Sequence, residues 1–329
     1  MLKVGLIGCG FMGAMHANCY KNLEGVELAA VADLRPEQAK QIAEGTNAVL
    51  YGDGKDLIAN AQLDIIDICL PTYLHAEYAL LAMDKVRYLF VEKPVALTVA
   101  EADALLAKQA QTGCQVQVGQ VIRFWDEYVA LRKILQSGEY GSVVNANFRR
   151  ISPTPEWGWQ DWLRQPVLSG GAAQDLHIHD VDFALSLFGE PKALYSVKNA
   201  KGEKNSYINT LLQYEDFPVS VEGTWGLPAC YPFQATFRVV LEKAVIENGA
   251  NGVVRYDAEG AHPIAIEKKE LNASGPAQGN ISDLGGYYNE LMYFTDCAKA
   301  GAPVEQATLT AASASLKFLL EKEIPFGDQ

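Results

Sequence analysis

The sequence predicts an α/β protein of two halves, an N-terminal doubly wound parallel sheet and a C-terminal α+β half with a mainly antiparallel sheet. Three observations carry that expectation. Short, wholly apolar strands alternate with helical stretches at the start of the chain, the pattern of strands covered by helices on both faces. A glycine-rich turn joins the first strand to the first helix. Further on, alternating strands and hairpin turns replace the β-α-β rhythm. A chain of 329 residues, at roughly 150 per domain, has room for two domains, placed at 1–121 and 122–329.

Lys3–Ile7 opens as an apolar strand, and a glycine turn leads into a helix ending near Asn22. Val26–Ala32 is the second strand, and Pro36 suits the first turn of the next helix, where a missing N–H costs nothing. Strands follow at Ala48–Tyr51 and Ile65–Cys69, a helix at His75–Met83 and a strand at Tyr88–Val91. Thr98 with Glu101 is a capping box opening a helix over Val99–Gln111, Gly113 closes it, and Gln115–Val118 is one more strand. Beyond it come a helix at Glu127–Gln136, an alternating strand at Val143–Arg150, and an irregular Pro-, Trp- and Gly-rich stretch at Ile151–Gly171. A further helix, strands between Ala193 and Tyr256 with a hairpin at Glu215–Pro218, and helices at Leu284–Ala300 and Thr308–Glu321 complete the chain.

Composition narrows the function. A net charge of −13 leaves no basic surplus to neutralise phosphates, which argues against a nucleic-acid partner. No apolar run approaches the ~18 residues of a membrane span. Met1-Leu-Lys-Val runs straight into a strand, which leaves no signal peptide and suggests a cytoplasmic protein. Cys9, Cys19, Cys69, Cys114, Cys230 and Cys297 show no paired spacing and read as reduced, mostly buried thiols rather than metal ligands.

Gly8-Cys9-Gly10-Phe11-Met12-Gly13 is a G-x-G-x-x-G motif. Alone it is weak; following a strand, opening a helix and preceding Asp33, it reads as a dinucleotide site. Gly8 permits the tight turn, Gly10 lets backbone approach a pyrophosphate, and Gly13 lets helix and strand pack closely, while the helix N-terminus attracts the anion. Asp33 is suited to accept from adenosine ribose hydroxyls and to repel a 2′-phosphate, which favours NAD; Arg35 leaves NADP open, since a guanidinium pairs with that phosphate.

Glu92-Lys93-Pro94 follows the fifth strand, where open α/β sheets bind ligands. Lys93 there suits a substrate or cofactor hydroxyl, and equally an ordinary Lys-Pro loop. In the segment Gly170–Asp182, a helix would place Asp175, His179 and Asp182 on one face at i, i+4 and i+7, with Ile178, Val181, Leu185 and Phe188 as a separate apolar anchor. An imidazole beside a carboxylate is what alcohol oxidation needs, a base for the hydroxyl proton and an acid to orient it. His177-x-His179 invites a metal, but on a helix the two point about 200° apart.

These residues together resemble the Gfo/Idh/MocA family, oxidoreductases related to glucose–fructose oxidoreductase and inositol 2-dehydrogenase. The resemblance rests on Gly8–Gly13, Leu70-Pro71-Thr72 with His75, Glu92-Lys93-Pro94, Arg123-Phe124, and Gly170-Gly171 with Asp175 and His179. It implies a Rossmann domain plus an α/β domain whose large open sheet commonly makes homodimers or homotetramers. It implies that Lys93, Asp175 and His179 form the catalytic triad, with His179 the general acid/base, Asp175 its orienter and Lys93 a contact to the reacting hydroxyl and the nicotinamide side. The Lys-Pro bond is often cis in relatives. Cofactor contacts are implied for Gly8, Gly10, Phe11, Met12, Gly13, Asp33, Arg35, Leu70, Pro71, Thr72, His75, Glu92 and Lys93, and polyol contacts for Arg123 and Asp182. His177 departs from the pattern, standing where relatives usually carry Gly, so an extra imidazole is expected to narrow the site or add a hydrogen bond.

All five tryptophans (Trp125, Trp157, Trp159, Trp162, Trp225) lie after residue 124. Those of the irregular stretch, Trp162 among them, suit the apolar face of a pyranose or cyclitol, and equally a lid that packs its own aromatics or an oligomer contact. Tyr287 and Tyr288 are further candidates to reach the cleft. The expectation is therefore an NAD-dependent dehydrogenase of a sugar, cyclitol or sugar derivative. Two rivals accompany it: a redox-neutral enzyme that uses tightly held NAD for transient oxidation and elimination or glycoside cleavage, and a non-catalytic NAD-sensing regulator.

Overall fold

The computed structural model describes residues 1–198, 207–266, 284–321 and 324–325. The chain forms two compact units: Met1–Val121, Trp157–Leu163 and Glu270–Leu316 make the first, and Ile122–Glu156, Arg164–Lys269 and Lys317–Gln329 the second. The chain thus enters the second unit at Ile122 but returns to the first twice, so a single cut after residue 121 does not describe the folding units.

The first unit contains β1 (Leu2–Ile7), α1 (Phe11–Asn22), β2 (Val26–Ala32), α2 (Pro36–Ala43), β3 (Val49–Tyr51), α3 (Gly54–Asn60), β4 (Ile65–Ile68), α4 (Thr72–Ala82), β5 (Tyr88–Val91), α5 (Val99–Thr112) and β6 (Gln115–Val118). The strands pair in parallel in the order β3-β2-β1-β4-β5-β6, so the winding reverses between β1 and β4. β4 and β5 are buried at every residue, as strands covered on both faces must be. The capping box of Thr98 and Glu101 forms, and Gly113 ends α5 in the left-handed conformation. Sequence reading missed α3, whose start was marked by Asp53: its side chain accepts the Lys55 N–H at 2.7 Å. It also began α4 three residues late.

The second unit opens with α6 (Asp126–Ser137) and β7 (Val143–Pro153), followed by α7 (Pro166–Ser169), α8 (Ile178–Phe188) and β8 (Ala193–Lys198). Then come β9 (Tyr207–Gln213), β10 (Pro218–Leu227), β11 (Gln234–Leu241), β12 (Ala244–Gly249), β13 (Gly252–Asp257) and β14 (Gly260–Pro263). The chain ends with α9 (Gly285–Ala300) and α10 (Leu309–Glu321), which fall in the first unit as far as Leu316, and with β15 (Ile324–Pro325) in the second. The nine-stranded sheet runs β14-β13-β12-β11-β7-β10-β9-β8-β15. It is mainly antiparallel, with β7–β10 and β15–β8 parallel. α8 packs on β7 and β10 through Val181, Phe183 and Ala184, all fully buried.

α9 belongs to the first unit because Leu291 and Phe294 are fully buried there, Phe294 edge-on to Phe90 at 5.5 Å between centroids. Cys9, Cys19, Cys69 and Cys114 are buried thiols, Cys297 is half-buried and Cys230 is exposed. Among the described residues no helix is long and apolar enough to cross a membrane.

Candidate active site

In the first unit the glycine turn sits at the carboxyl end of β1, beside the point where the sheet reverses. Gly8 has φ +96°, and a Cβ there would stand 2.5 Å from the Cys69 carbonyl oxygen. A Cβ on Gly13 would fall inside the contact distance of the Gly8 carbonyl oxygen, so helix and turn touch only because Gly13 lacks a side chain. Gly10 is different: its φ is −75° and a Cβ there would meet nothing within 4 Å. That open space lies at the N-terminus of α1, which no side chain caps. Uncapped N–H groups and the helix dipole suit a pyrophosphate. Phe11 and Met12, half-buried, begin the helix.

Asp33 closes the other side of the cradle. Its Oδ1 accepts from the Arg35 backbone N–H (2.8 Å) and Arg35 Nε (2.9 Å), and its Oδ2 from the Cys9 N–H (2.8 Å) and an Arg35 terminal nitrogen (2.9 Å). Burial alone would raise the Asp33 pKa, but the Arg35 and Cys9 hydrogen bonds hold it below the ordinary value. Four donors fill the carboxylate's acceptor sites, so a ribose hydroxyl competes with Arg35 for Asp33. Arg35 is itself held under Trp159, its guanidinium carbon 5.4 Å from the ring centroid, and Trp157 lies 5.2 Å from Phe11. The irregular stretch thus seats two of its tryptophans on residues of the glycine cradle. Its turn passes through left-handed backbone at Gln160 (φ 52°) and Asp161 (φ 59°), with Trp162 half-buried after it.

The segment after β4 begins α4 at Thr72, with Pro71 ahead of it. Among the described residues the buried Thr72 hydroxyl oxygen has no hydrogen-bond partner, and a bound ligand would satisfy it. His75 is buried, its Nδ1 2.7 Å from the Pro94 carbonyl oxygen and its Nε2 2.7 Å from that of Leu70. Burial depresses its pKa against the pull of those two carbonyls. It braces the Leu70-Pro71 loop to the Lys93-Pro94 loop from within, rather than facing outward as a contact residue. The Lys93–Pro94 bond is cis. Lys93 is half-buried, while the Glu92 side chain is 6% exposed, turned towards His16 and the Lys93 amide.

In the second unit the segment ahead of α8 is not a regular α-helix. Residues Ala173–His177 form a π turn, with the Ile178 N–H donating to the Ala173 carbonyl five residues back. The expected continuous face through Asp175, His179 and Asp182 is therefore interrupted between the first two; His179 and Asp182, three apart within α8, share a face. A π turn widens the helix locally, and such bulges concentrate at functional sites. Asp175 is half-buried on the turn and His179 is 8% exposed. The apolar anchor also differs from expectation: Leu185 and Phe188 are half-buried, and Phe183 and Ala184 take the core with Ile178 and Val181.

Arg123 and Asp182 are bonded to one another, Nε to Oδ2 at 2.7 Å and a terminal nitrogen to Oδ1 at 2.8 Å. His177 does not enter the site as expected. It is fully buried against the sheet, Nε2 2.8 Å from the Thr210 hydroxyl, and a Cβ on Gly223 would meet its Nδ1 at 2.7 Å. Glycine on β10 makes the room that this histidine occupies. The His177 imidazole is thus turned into the sheet of the second unit.

Sequence reading overlooked two buried ionic groups. Arg150 on β7 meets Asp180 on α8 at 2.7 Å, with 3% and 0% of the side chains exposed. His16, Asp67 and Cys69 cluster in the first unit, their ligand-type atoms within 4.8 Å of one another. His16 Nδ1 and Asp67 Oδ2 are 2.8 Å apart, a hydrogen-bond distance, whereas two ligands at ~2.0–2.2 Å from a tetrahedral ion stand roughly 3.3 Å apart. The signal for His16 was its place on the inward stripe Gly13-His16-Ala17-Tyr20 of α1, all buried.

The doubly wound sheet, glycine cradle and separate large sheet define a dinucleotide-binding Rossmann protein with a second α/β domain. Residues 2–120 match the oxidoreductase family with an NAD-binding Rossmann fold, and residues 128–247 match the GFO/IDH/MocA C-terminal domain; the chain belongs to the Gfo/Idh/MocA family of oxidoreductases. It is 27% identical over 336 aligned residues to the inositol 2-dehydrogenase of Rhizobium meliloti, covering 98% of each chain. Its 29% identity to the uncharacterized oxidoreductase YrbE of Bacillus subtilis spans 57% of this chain and 54% of that protein. The levoglucosan dehydrogenase solved with NADH and levoglucosan superposes with a TM-score of 0.84 at 21% identity, over 98% of this chain and 96% of that one, which shows a shared fold.

Proposed function

We propose that the protein oxidises a hydroxyl of a cyclitol, sugar or sugar derivative with NAD+. The observation that carries this reading is the end-to-end alignment with an inositol 2-dehydrogenase. The cradle at Gly10 and the orphan hydroxyl of Thr72 support the cofactor. When bound, NAD+ supplies a hydride acceptor at its nicotinamide ring. The residues of this chain do the rest: a ring nitrogen of His179 takes the hydroxyl proton, Asp175 orients that imidazole, and Lys93 donates from Nζ to the same oxygen. Arg123, Trp162 and Asp182 are assigned to substrate contact, and the large sheet to homodimer or homotetramer formation. Val197 and Leu211, exposed on neighbouring strands β8 and β9, support the last assignment, which light scattering of the purified protein tests.

Incubation with NAD+ and a panel of cyclitols and sugars should generate NADH. His179→Ala and Lys93→Ala should each lower turnover by ~10²-fold or more, the usual loss of a positioned proton-transfer group, with NAD+ affinity nearly intact. Wild-type turnover in either variant would remove its residue from the mechanism. A second reading, redox-neutral turnover with retained NAD, is favoured by the seating of Trp157 on Phe11 and Trp159 on Arg35. Copurifying cofactor, together with substrate loss that generates no NADH, would identify it.

A further inference from the structure

Beneath the Lys93 loop lies a set of ionisable side chains to which the proposed reaction gives no task. His16 on α1 is fully buried; its Nδ1 is 2.8 Å from Asp67 Oδ2 and its Nε2 is 3.1 Å from Glu92 Oε1. Glu92 Oε2 in turn accepts the Lys93 N–H at 3.0 Å. Asp67 also accepts from the Tyr20 hydroxyl at 2.8 Å and the Cys69 thiol at 3.5 Å. Glu290 on α9 and Gln117 on β6 complete the surroundings, both fully buried.

Two buried carboxylates flanking one imidazole favour the doubly protonated ring: Nδ1 is at hydrogen-bond distance from Asp67, while Nε2 faces Glu92 Oε1 as an ion pair without hydrogen-bond alignment. The electrostatics agree. Burial would depress the His16 pKa, but the neighbouring Cys69 and Asp67 hold it well above the ordinary value. Glu92 lies below the ordinary carboxylate value, with burial outweighed by His16, Lys93 and His75. Glu290, by contrast, is pushed well above the ordinary value by its burial and the Glu92 charge. The Glu92 carboxylate also fits its space closely: a Cβ on Gly119 would stand 3.0 Å from its carboxyl atoms.

This chain of contacts ends on the loop that carries Lys93. Pro94 has no N–H to anchor that loop; two of the bonds that hold it are the Lys93 N–H, taken by Glu92, and the Pro94 carbonyl, met by His75. We propose that His16 and Glu92 are positioning residues for Lys93: Asp67, His16, Glu92 and the Lys93 amide make one buried chain that fixes the loop from which the Lys93 side chain acts. The inference rests on the role given to Lys93 above.

The test uses the full chain with NAD+ and myo-inositol. Glu92→Gln keeps the shape and an acceptor for the Lys93 N–H but drops the charge facing His16; Gly119→Ala displaces the same carboxylate from its other side. Each should lower kcat by about tenfold or more while the NAD+ dissociation constant moves by less than about threefold. In the double variant Glu92→Gln/Lys93→Ala, turnover should fall within about twofold of Lys93→Ala alone, the non-additivity of residues acting through one group. Losses that multiply, or wild-type kcat in Glu92→Gln, would overturn the proposal. Should the wild type leave myo-inositol unchanged, the dehydrogenase reading is what suffers, and the buried chain is read from reductive methylation of Lys93 followed by mass spectrometry. Glu92→Gln should then change the Lys93 labelling rate by about threefold or more, and equal rates in variant and wild type would overturn it.

Discussion

The glycine cradle separates folding from binding at two positions three residues apart. Gly10→Ala adds a methyl at a residue with φ −75°, where nothing stands within 4 Å. Stability should therefore change by less than about 0.5 kcal/mol, or rise by about 0.4–1 kcal/mol through a stiffer unfolded chain. Gly13→Ala drives the same methyl into the Gly8 carbonyl oxygen, which flexible side-chain movement cannot relieve. Overpacking of that kind costs about 1–3 kcal/mol, and at about 2–4 °C per kcal/mol the melting temperature should fall by several degrees. Binding responds in the opposite order. A methyl at Gly10 that keeps a phosphate from one backbone N–H removes about 2 kcal/mol, or roughly thirtyfold in NAD+ affinity. At an NAD+ concentration about 100 times the wild-type dissociation constant, stabilisation by ligand should then drop from about 2.7 to about 0.9 kcal/mol. Thermal melts of both variants with and without NAD+ measure every quantity. A Gly10→Ala protein with the full NAD+-induced shift would show that the open space over Gly10 is not where the pyrophosphate lies.

Arg35→Ala frees two of the four acceptor positions on Asp33, so NAD+ should bind about fivefold tighter, a gain of about 1 kcal/mol for a partly exposed pair, while NADP+ loses the guanidinium beside Asp33 and weakens. Titration of both nucleotides decides this, and an unchanged NAD+/NADP+ ratio would contradict it. Asp180→Asn strips the charge from the buried Arg150 pair and should cost about 3–5 kcal/mol, lowering the melting temperature by about 10 °C, as calorimetry would detect. The His16 pKa is raised above its unfolded value, so its contribution to stability is complete below about pH 6.5 and is lost as pH rises through the raised value. Melting temperature should accordingly decline on the alkaline side, and His16→Gln should flatten that slope; parallel pH profiles would show that His16 is not charged in the fold.

The strand and helix spacing of the first 120 residues determined the Rossmann half, because local rules operate there. Fully apolar four-residue strands mark burial on both faces, Pro36 and the Thr98–Glu101 box mark helix starts, and Gly113 marks an end. The glycine motif and Asp33 were legible for the same reason, since their spacing reflects one continuous strand-turn-helix. Family resemblance then put forward Lys93, Asp175 and His179 as the proposed catalytic residues. What lay beyond reach were choices settled by partners far away in the chain. Whether Asp33 faces a ligand or Arg35, and whether Arg35 lies under Trp159 some 120 residues on, depends on how the irregular stretch returns to the first unit. The resemblance puts an imidazole at His177 near the site, but it carries no information about Gly223, whose missing side chain lets that imidazole into the sheet. The π turn before His179 is likewise invisible to a 3.6-residue pattern. Short-range order was written into neighbouring residues; which way a buried polar side chain turns was decided only when the tertiary fold supplied its partner, because a charge or imidazole removed from water must be matched by whatever the packing brings to it.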